Sequence, residues 1–183
     1  MSAFVIGIAG GSASGKTTFA QALAKNLHEF KPHVLHMDAY FKPEEQRGRA
    51  PGTINRKEYR DDNHPRSFEL AKLAIDLAEA HKKHRVVIVE GILALHDEAI
   101  IEQLDLKLFI DCRPDERIVR RLRRNMGWGL EFDEIADVYL GLVRFRHEEF
   151  VEPSRWRADF VINGSQMPEK ALEIITTYVK SLV

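Results

Sequence analysis

The stretch that most constrains this chain is Gly10-Gly11-Ser12-Ala13-Ser14-Gly15-Lys16-Thr17-Thr18, which satisfies G-x-x-x-x-G-K-[ST] at every fixed position. Residues 4–9, FVIGIA, read as a short buried strand before it. Phe19, Ala20, Leu23, Ala24 and Leu27 recur at helical spacing after it. A strand, a glycine turn and a helix in that order form an anion nest. The glycines let the backbone approach, the N–H groups converge, and the positive helix end faces the same point. Gly11, Ser12, Ala13, Ser14, Gly15, Lys16, Thr17 and Thr18 are therefore expected to hold the phosphates of a nucleoside triphosphate. Lys16 would reach the β- and γ-phosphates, and the Thr17 hydroxyl would hold Mg²⁺.

A chain of 183 residues suits one α/β domain, taken as 1–183. A net charge of −1 argues against general attraction to nucleic acid or membranes, so the expected partner is a small-molecule substrate. The single cysteine, Cys112, excludes an internal disulfide framework. No signal peptide precedes the first strand and no apolar run approaches membrane length, which makes a cytoplasmic enzyme the expectation. The oligomeric state is open, a homo-oligomer included.

Further strands are expected at 33–37, 85–89, 106–110 and 158–163. Five apolar strands alternating with helices imply a phosphate-loop three-layer sandwich: a five-stranded parallel sheet with helices on both faces. Asp38, Glu90 and Asp111 each follow a strand, so they should gather with the phosphate loop along one sheet edge. On position alone, Asp38 fits a base toward a substrate hydroxyl, a metal-site acid or a turn cap. Glu90 sits where an acid would act on the metal or its waters.

Residues 42–66 carry many Gly and Pro and interleaved charges with few large apolar side chains. They read as a surface excursion or as a substrate-side flap. Ser67 is a candidate cap for a helix marked by Leu70, Leu73, Ala74 and Leu77. Arg117, Arg120, Arg121 and Arg124 share one helix face, opposite Ile118, Val119, Leu122 and Met126. That basic face could neutralise a triphosphate, be solvated, or bind RNA. Gly127-Trp128-Gly129 then breaks the helix, and Phe132, Ile135, Tyr139 and Val143 start another, so 113–150 is expected to form a basic helix and a helical lid. Leu172, Ile175, Tyr178, Val179 and Leu182 are expected to face a terminal helix inward.

Taken together, the chain resembles the uridine kinase and phosphoribulokinase group of phosphate-loop kinases. The resemblance lies in residues 10–18, Met37-Asp38-Ala39-Tyr40-Phe41, Asn63-His64-Pro65, residues 90–95, Arg120-Arg121-Leu122-Arg123-Arg124, and residues 150–154 followed by Ala158-Asp159. It implies an ATP-dependent phosphotransferase that moves the γ-phosphoryl group, with Mg²⁺, to a hydroxyl of a small metabolite, in uridine kinases that of a nucleoside. Asp38 then matches the catalytic base, working with Lys16. Thr17 and Glu90 match the metal side, and Arg120 and Arg124 match lid arginines on the nucleotide. Asp38, Tyr40, Phe41, Asn63 and His64 match the substrate side.

The chain departs from that group in three places. There is no room between Lys83 and Arg85 for the family's base-reading hairpin. Asn63 stands for its Asp, and Trp128-Gly129-Leu130 stands for its Arg-Gly-Arg. A sugar, a sugar phosphate or a vitamin precursor is therefore an alternative acceptor, and an ATP-binding regulatory module an alternative role. The arginines of 42–66 make an anionic acceptor one to test.

Overall fold

A computed structural model describes residues 3–183. It runs β1 (Phe4–Ala9), α1 (Lys16–Asn26), β2 (His33–His36), β3 (Arg49–Pro51), β4 (Glu58–Arg60) and α2 (Leu70–Lys83). It continues through β5 (Val86–Glu90), α3 (Glu98–Ile101), β6 (Leu106–Asp111), α4 (Pro114–Met126), α5 (Phe132–Val138), α6 (Arg144–Arg146), β7 (Phe160–Asn163) and α7 (Glu169–Leu182). The five apolar runs pair in parallel in the order β2-β5-β1-β6-β7.

Strand alternation sorts the core into two layers. Val5, Ala9, Val87, Val89 and Phe109 meet Leu73 and Leu77 of α2 and Ile100 of α3 on one face. Ile6, Ile8, Val86, Ile88, Leu108 and Ile110 meet Phe19 and Leu23 of α1 and Leu172, Ile175 and Val179 of α7 on the other. Each large side chain buried this way contributes about 1.5–3 kcal/mol. The central strands β5, β1 and β6 are thus covered on both faces, as an apolar parallel sheet requires, whereas at the edge strand β7 only Ile162 is buried.

Details of the helices differ from the sequence pattern. Ser67 does not cap α2, which starts at Leu70. Its hydroxyl donates to the Asp61 carbonyl (2.6 Å) in a buried turn, two residues before the Glu69 N-cap position, rather than accepting from a helix N–H. Tyr178 and Leu182 lie half-exposed, because only the stripe of Leu172, Ile175 and Val179 reaches the sheet.

Much of the arginine face of α4 points inward, with Arg124 at its end exposed. Val119 and Met126 are 45% and 49% exposed, whereas Arg117 is 5% exposed. The arginine heads find partners there that solvent would otherwise supply. Arg117 Nε donates to the Cys112 carbonyl (3.0 Å), and Arg120 donates to the carbonyls of Gly164 (2.8 Å) and Ser165.

Residues 42–66 contain structure that the sequence pattern did not reveal. β3 and β4 form an antiparallel hairpin with Ala50 opposite Tyr59. The hairpin is docked on the lid helix. Thr53 N–H donates to the Gly141 carbonyl (2.8 Å), Lys57 pairs with Asp137 (3.1 Å), and buried Asp61 pairs with Arg146 (2.7 Å). That lid is one helical run from Phe132 to Arg157, with π-helical turns at Tyr139–Val143 and His147–Val151.

Gly91 shows how tightly the sheet edge is built. A Cβ there would collide with buried Met37, the residue before Asp38. Gly91→Ala is expected to lower stability by about 1–3 kcal/mol, read from urea unfolding. It should also cost turnover, because the Asp38 turn must shift.

Candidate active site

The phosphate loop adopts the conformation its glycines predict. Gly10 and Gly15 have φ of 147° and 98°, and Ala13 also lies in the left-handed region at 64°. α1 begins at Lys16 with no side-chain cap, so its first N–H groups are free to meet an anion. The Ser14 hydroxyl is buried without a partner.

Lys16 is buried at the end of this loop. Burial pushes its ammonium below the usual range, Glu90 and Asp38 hold it up, and Arg124 lowers it further. Glu90 is 4% exposed, and its two oxygens have separate partners. The Thr17 hydroxyl donates to one (3.1 Å), and His36 Nδ1 lies 2.8 Å from the other. The register explains the meeting, since Glu90 stands opposite Ile8 of β1 and His36 of β2. His36 belongs to no motif in the sequence. Its signal is its place two residues before Asp38, at the end of the strand that pairs with β5.

A cavity of about 590 Å³ opens beside the loop, a size suited to a small metabolite. Ser12, Lys16 and Asp38 line one end, and Phe41, Asn63 and Ile92 lie along it. Arg121 and Arg124 enter from α4, both donating to the Ser12 hydroxyl (3.0 and 3.3 Å). Burial, with help from Arg124, lowers the Arg121 guanidinium to about 10. Arg124 also stacks on Trp128 at 4.9 Å.

Two residues of the expected substrate side lie elsewhere. The Tyr40 hydroxyl donates to Asp76 of α2 (2.8 Å), and burial with that bond raises it to about 12. His64 Nδ1 accepts from Arg66 N–H (3.0 Å), and its ring packs edge-on against Phe150. Both are held by neighbours that the linear pattern does not reveal. Arg120 and Arg124 part company as well. Arg120 lines a separate pocket of about 140 Å³ with Gly15, Thr18, Gly164 and Pro168, on the other side of the loop. Arg121, on the same basic face but outside the pair expected at the nucleotide, is the arginine that joins Arg124.

Asp111 does not reach the loop, because Arg155 holds it (3.3 Å). It lines a third cavity of about 900 Å³ across α4, where Arg155 pairs with Asp111 and Glu152 and His147 with Glu152.

A fold with this loop, this parallel order and an acid beside the loop lysine in a metabolite-sized cavity defines a phosphate-loop kinase of small molecules. The comparisons agree. A model of the phosphoribulokinase/uridine kinase family matches residues 49–172. Uridine kinases of Staphylococcus epidermidis and Staphylococcus aureus are each 32% identical over 204 aligned residues, covering 98% of this chain and 96% of theirs. Among solved structures, a Bacteroides thetaiotaomicron shikimate kinase superposes with a TM-score of 0.59 at 20% identity, covering 98% of this chain and 97% of its own. A Bacillus stearothermophilus protein described as a possible uridine kinase superposes at 0.61 and 16%, covering 89% and 90%. The chain belongs to the phosphoribulokinase/uridine kinase family. Among the described residues, no helix is long and apolar enough to cross a membrane.

His147 packs against the outer side of the loop, where a Cβ on Gly11 would touch it and collide with Arg117. Burial, then Arg117, lowers its imidazole to about 4, with Asp111 opposing, and Glu152 lies 3.2 Å from Nε2. The folded value lies below the ordinary 6.5, so the unfolded chain binds more protons between the two. The stability held above pH 6.5 is therefore lost as pH falls toward 4, by up to about 3 kcal/mol. Urea unfolding across that window should show a shallower pH dependence in His147→Gln.

Proposed function

We propose that this kinase transfers the γ-phosphoryl group of ATP, with Mg²⁺, to a hydroxyl of a nucleoside-like metabolite. The observation that carries the reading is the convergence of Lys16, Asp38, Arg121 and Arg124 on one cavity beside the phosphate loop.

The donor set fits magnesium. Thr17 and Glu90 offer hard oxygens 3.1 Å apart, and no cluster of three or more His, Cys, Asp or Glu competes for a metal among the described residues. That suits an ion held by one or two protein oxygens together with phosphates. Magnesium, when bound, neutralises charge on the phosphate oxygens. His36 keeps the Glu90 carboxylate turned so that its other oxygen faces Thr17.

The remaining roles belong to side chains. Residues 11–18 cradle the phosphates, and the Lys16 ammonium neutralises the group in transfer. Arg120, with Gly164 and Thr18, walls the small pocket that takes the nucleotide base. Asp38 receives the acceptor hydroxyl and takes its proton as the oxygen attacks phosphorus. Arg124 and Arg121 approach the same phosphate from α4, and Trp128 and Leu130 help to exclude water from the cavity. Phe41 and Asn63 lie against the acceptor, while Tyr40 and His64 support it from behind.

Asp38→Asn should lower acceptor-dependent ADP release by about 10²–10⁴-fold while the nucleotide Kd stays within a factor of two. Coupled-assay turnover and calorimetric nucleotide binding measure the two quantities. Full turnover by Asp38→Asn would remove Asp38 as the base.

A further inference from the structure

One buried cation has no part in the roles above. Arg117, near the start of α4, is 5% exposed. Its Nε donates to the Cys112 carbonyl (3.0 Å), and it forms no ion pair among the described residues. The acids of its surroundings are engaged with other cations. Glu116 pairs with Arg120 (3.4 Å), Asp111 with Arg155 (3.3 Å) and Glu152 with His147 (3.2 Å). Asp115 and Glu148 line the same cavity as Arg117 without pairing with it. A guanidinium taken out of water without a counter-charge is costly to the fold, and such a group is stable only when an anion completes it.

The geometry names that anion. Arg117 lies against the phosphate loop: a Cβ on Gly11 would collide with its Nη1 and press on its Cζ (3.0 Å). Gly11 closes the turn of the loop, its carbonyl accepting from the Ser14 N–H (3.0 Å). Arg121 and Arg124 of the same helix line the acceptor cavity, whereas Arg117 lines the cavity across α4. It therefore adds positive charge to the loop from a side that those two do not supply. That charge is felt by its neighbours. After burial, Arg117 is the main cause that lowers the imidazole of His147, which packs on the same glycine.

We propose that Arg117 is a positioning residue for the nucleotide: acting across Gly11, its unpaired guanidinium takes the bound polyphosphate as its counter-charge and makes affinity rise more steeply with each phosphate. The inference rests on the kinase reading above and gives a role to a residue which that reading leaves out. A purely structural Arg117, holding the start of α4 through the Cys112 carbonyl, would behave differently. Its loss would loosen the fold and weaken all nucleotides alike.

The test is binding of adenosine, ADP and ATP, without an acceptor, read by displacement of a fluorescent ATP analogue. Parent, Arg117→Gln and Arg117→Lys are compared. Glutamine keeps an N–H donor without the charge, and lysine keeps the charge without the planar fork. Arg117→Gln should bind adenosine within twofold of the parent and ATP tenfold or more weaker, with ADP between. Arg117→Lys should recover at least threefold of the ATP loss. Without ligand, Arg117→Gln should unfold at a urea midpoint no lower than that of the parent, because it no longer buries an unpaired charge.

An equal loss for all three ligands overturns the inference, as does unchanged ATP affinity or no recovery by lysine. A lowered ligand-free midpoint, or failure of Arg117→Gln to fold, assigns Arg117 to the fold and overturns it too. The kinase reading is checked separately, in the parent. If affinity there does not rise from adenosine to ATP, the nucleotide site itself is wrong, and that failure is seen without any variant.

Discussion

The site depends on one row of the sheet. Glu90 lies opposite Ile8 on one side and His36 on the other. A parallel sheet has all its strand ends pointing the same way, so this row fixes where the segment after each strand begins. After Ile8 comes the phosphate loop, after His36 the turn that bears Asp38, and at the row's centre the carboxylate that accepts from Thr17. A slip of one residue of β1 or β2 against β5 would cost Glu90 the partner that strand positions. The apolar layers on the two faces hold that register, and with it the spacing of base, lysine and metal oxygens.

Much of this was legible in the chain. The loop motif, the five strands and the acids Asp38 and Glu90 read directly, because apolar runs and glycine signatures are local properties, whereas Asp111 turned to Arg155 instead. α4 was legible only in part, for a physical reason. Periodicity puts the arginines on one face without fixing what that face meets; here the heads of Arg117, Arg120 and Arg121 reach carbonyls and the Ser12 hydroxyl while Val119 and Met126 face outward. Arginine can be buried at its head when fixed acceptors replace water. The same limit explains Tyr40 and His64. Each lies next to a cavity residue in sequence, but their partners, Asp76 and Phe150, come from distant segments.

In residues 42–66, pairing cancels part of the charge that composition counts. Residues 42–66 contain many arginines, but what a ligand meets is the unpaired remainder. Asp62 alone engages both Arg47 and Arg60. Composition counts charges, whereas recognition depends on which of them are already satisfied. That distinction bears directly on how a kinase with this loop and lid would sort its acceptors.

The docking of the flap on the lid helix has a mechanical consequence. Thr53 is bonded to Gly141, Lys57 to Asp137 and Asp61 to Arg146, so hairpin and helix cannot part without losing three contacts at once. Two covers that moved separately would each lose conformational entropy on closing. Joined in this way, they lose it together, in a single ordering event. Any motion of the hairpin then carries the helix with it, and the two sides of the cavity they wall open or close as one.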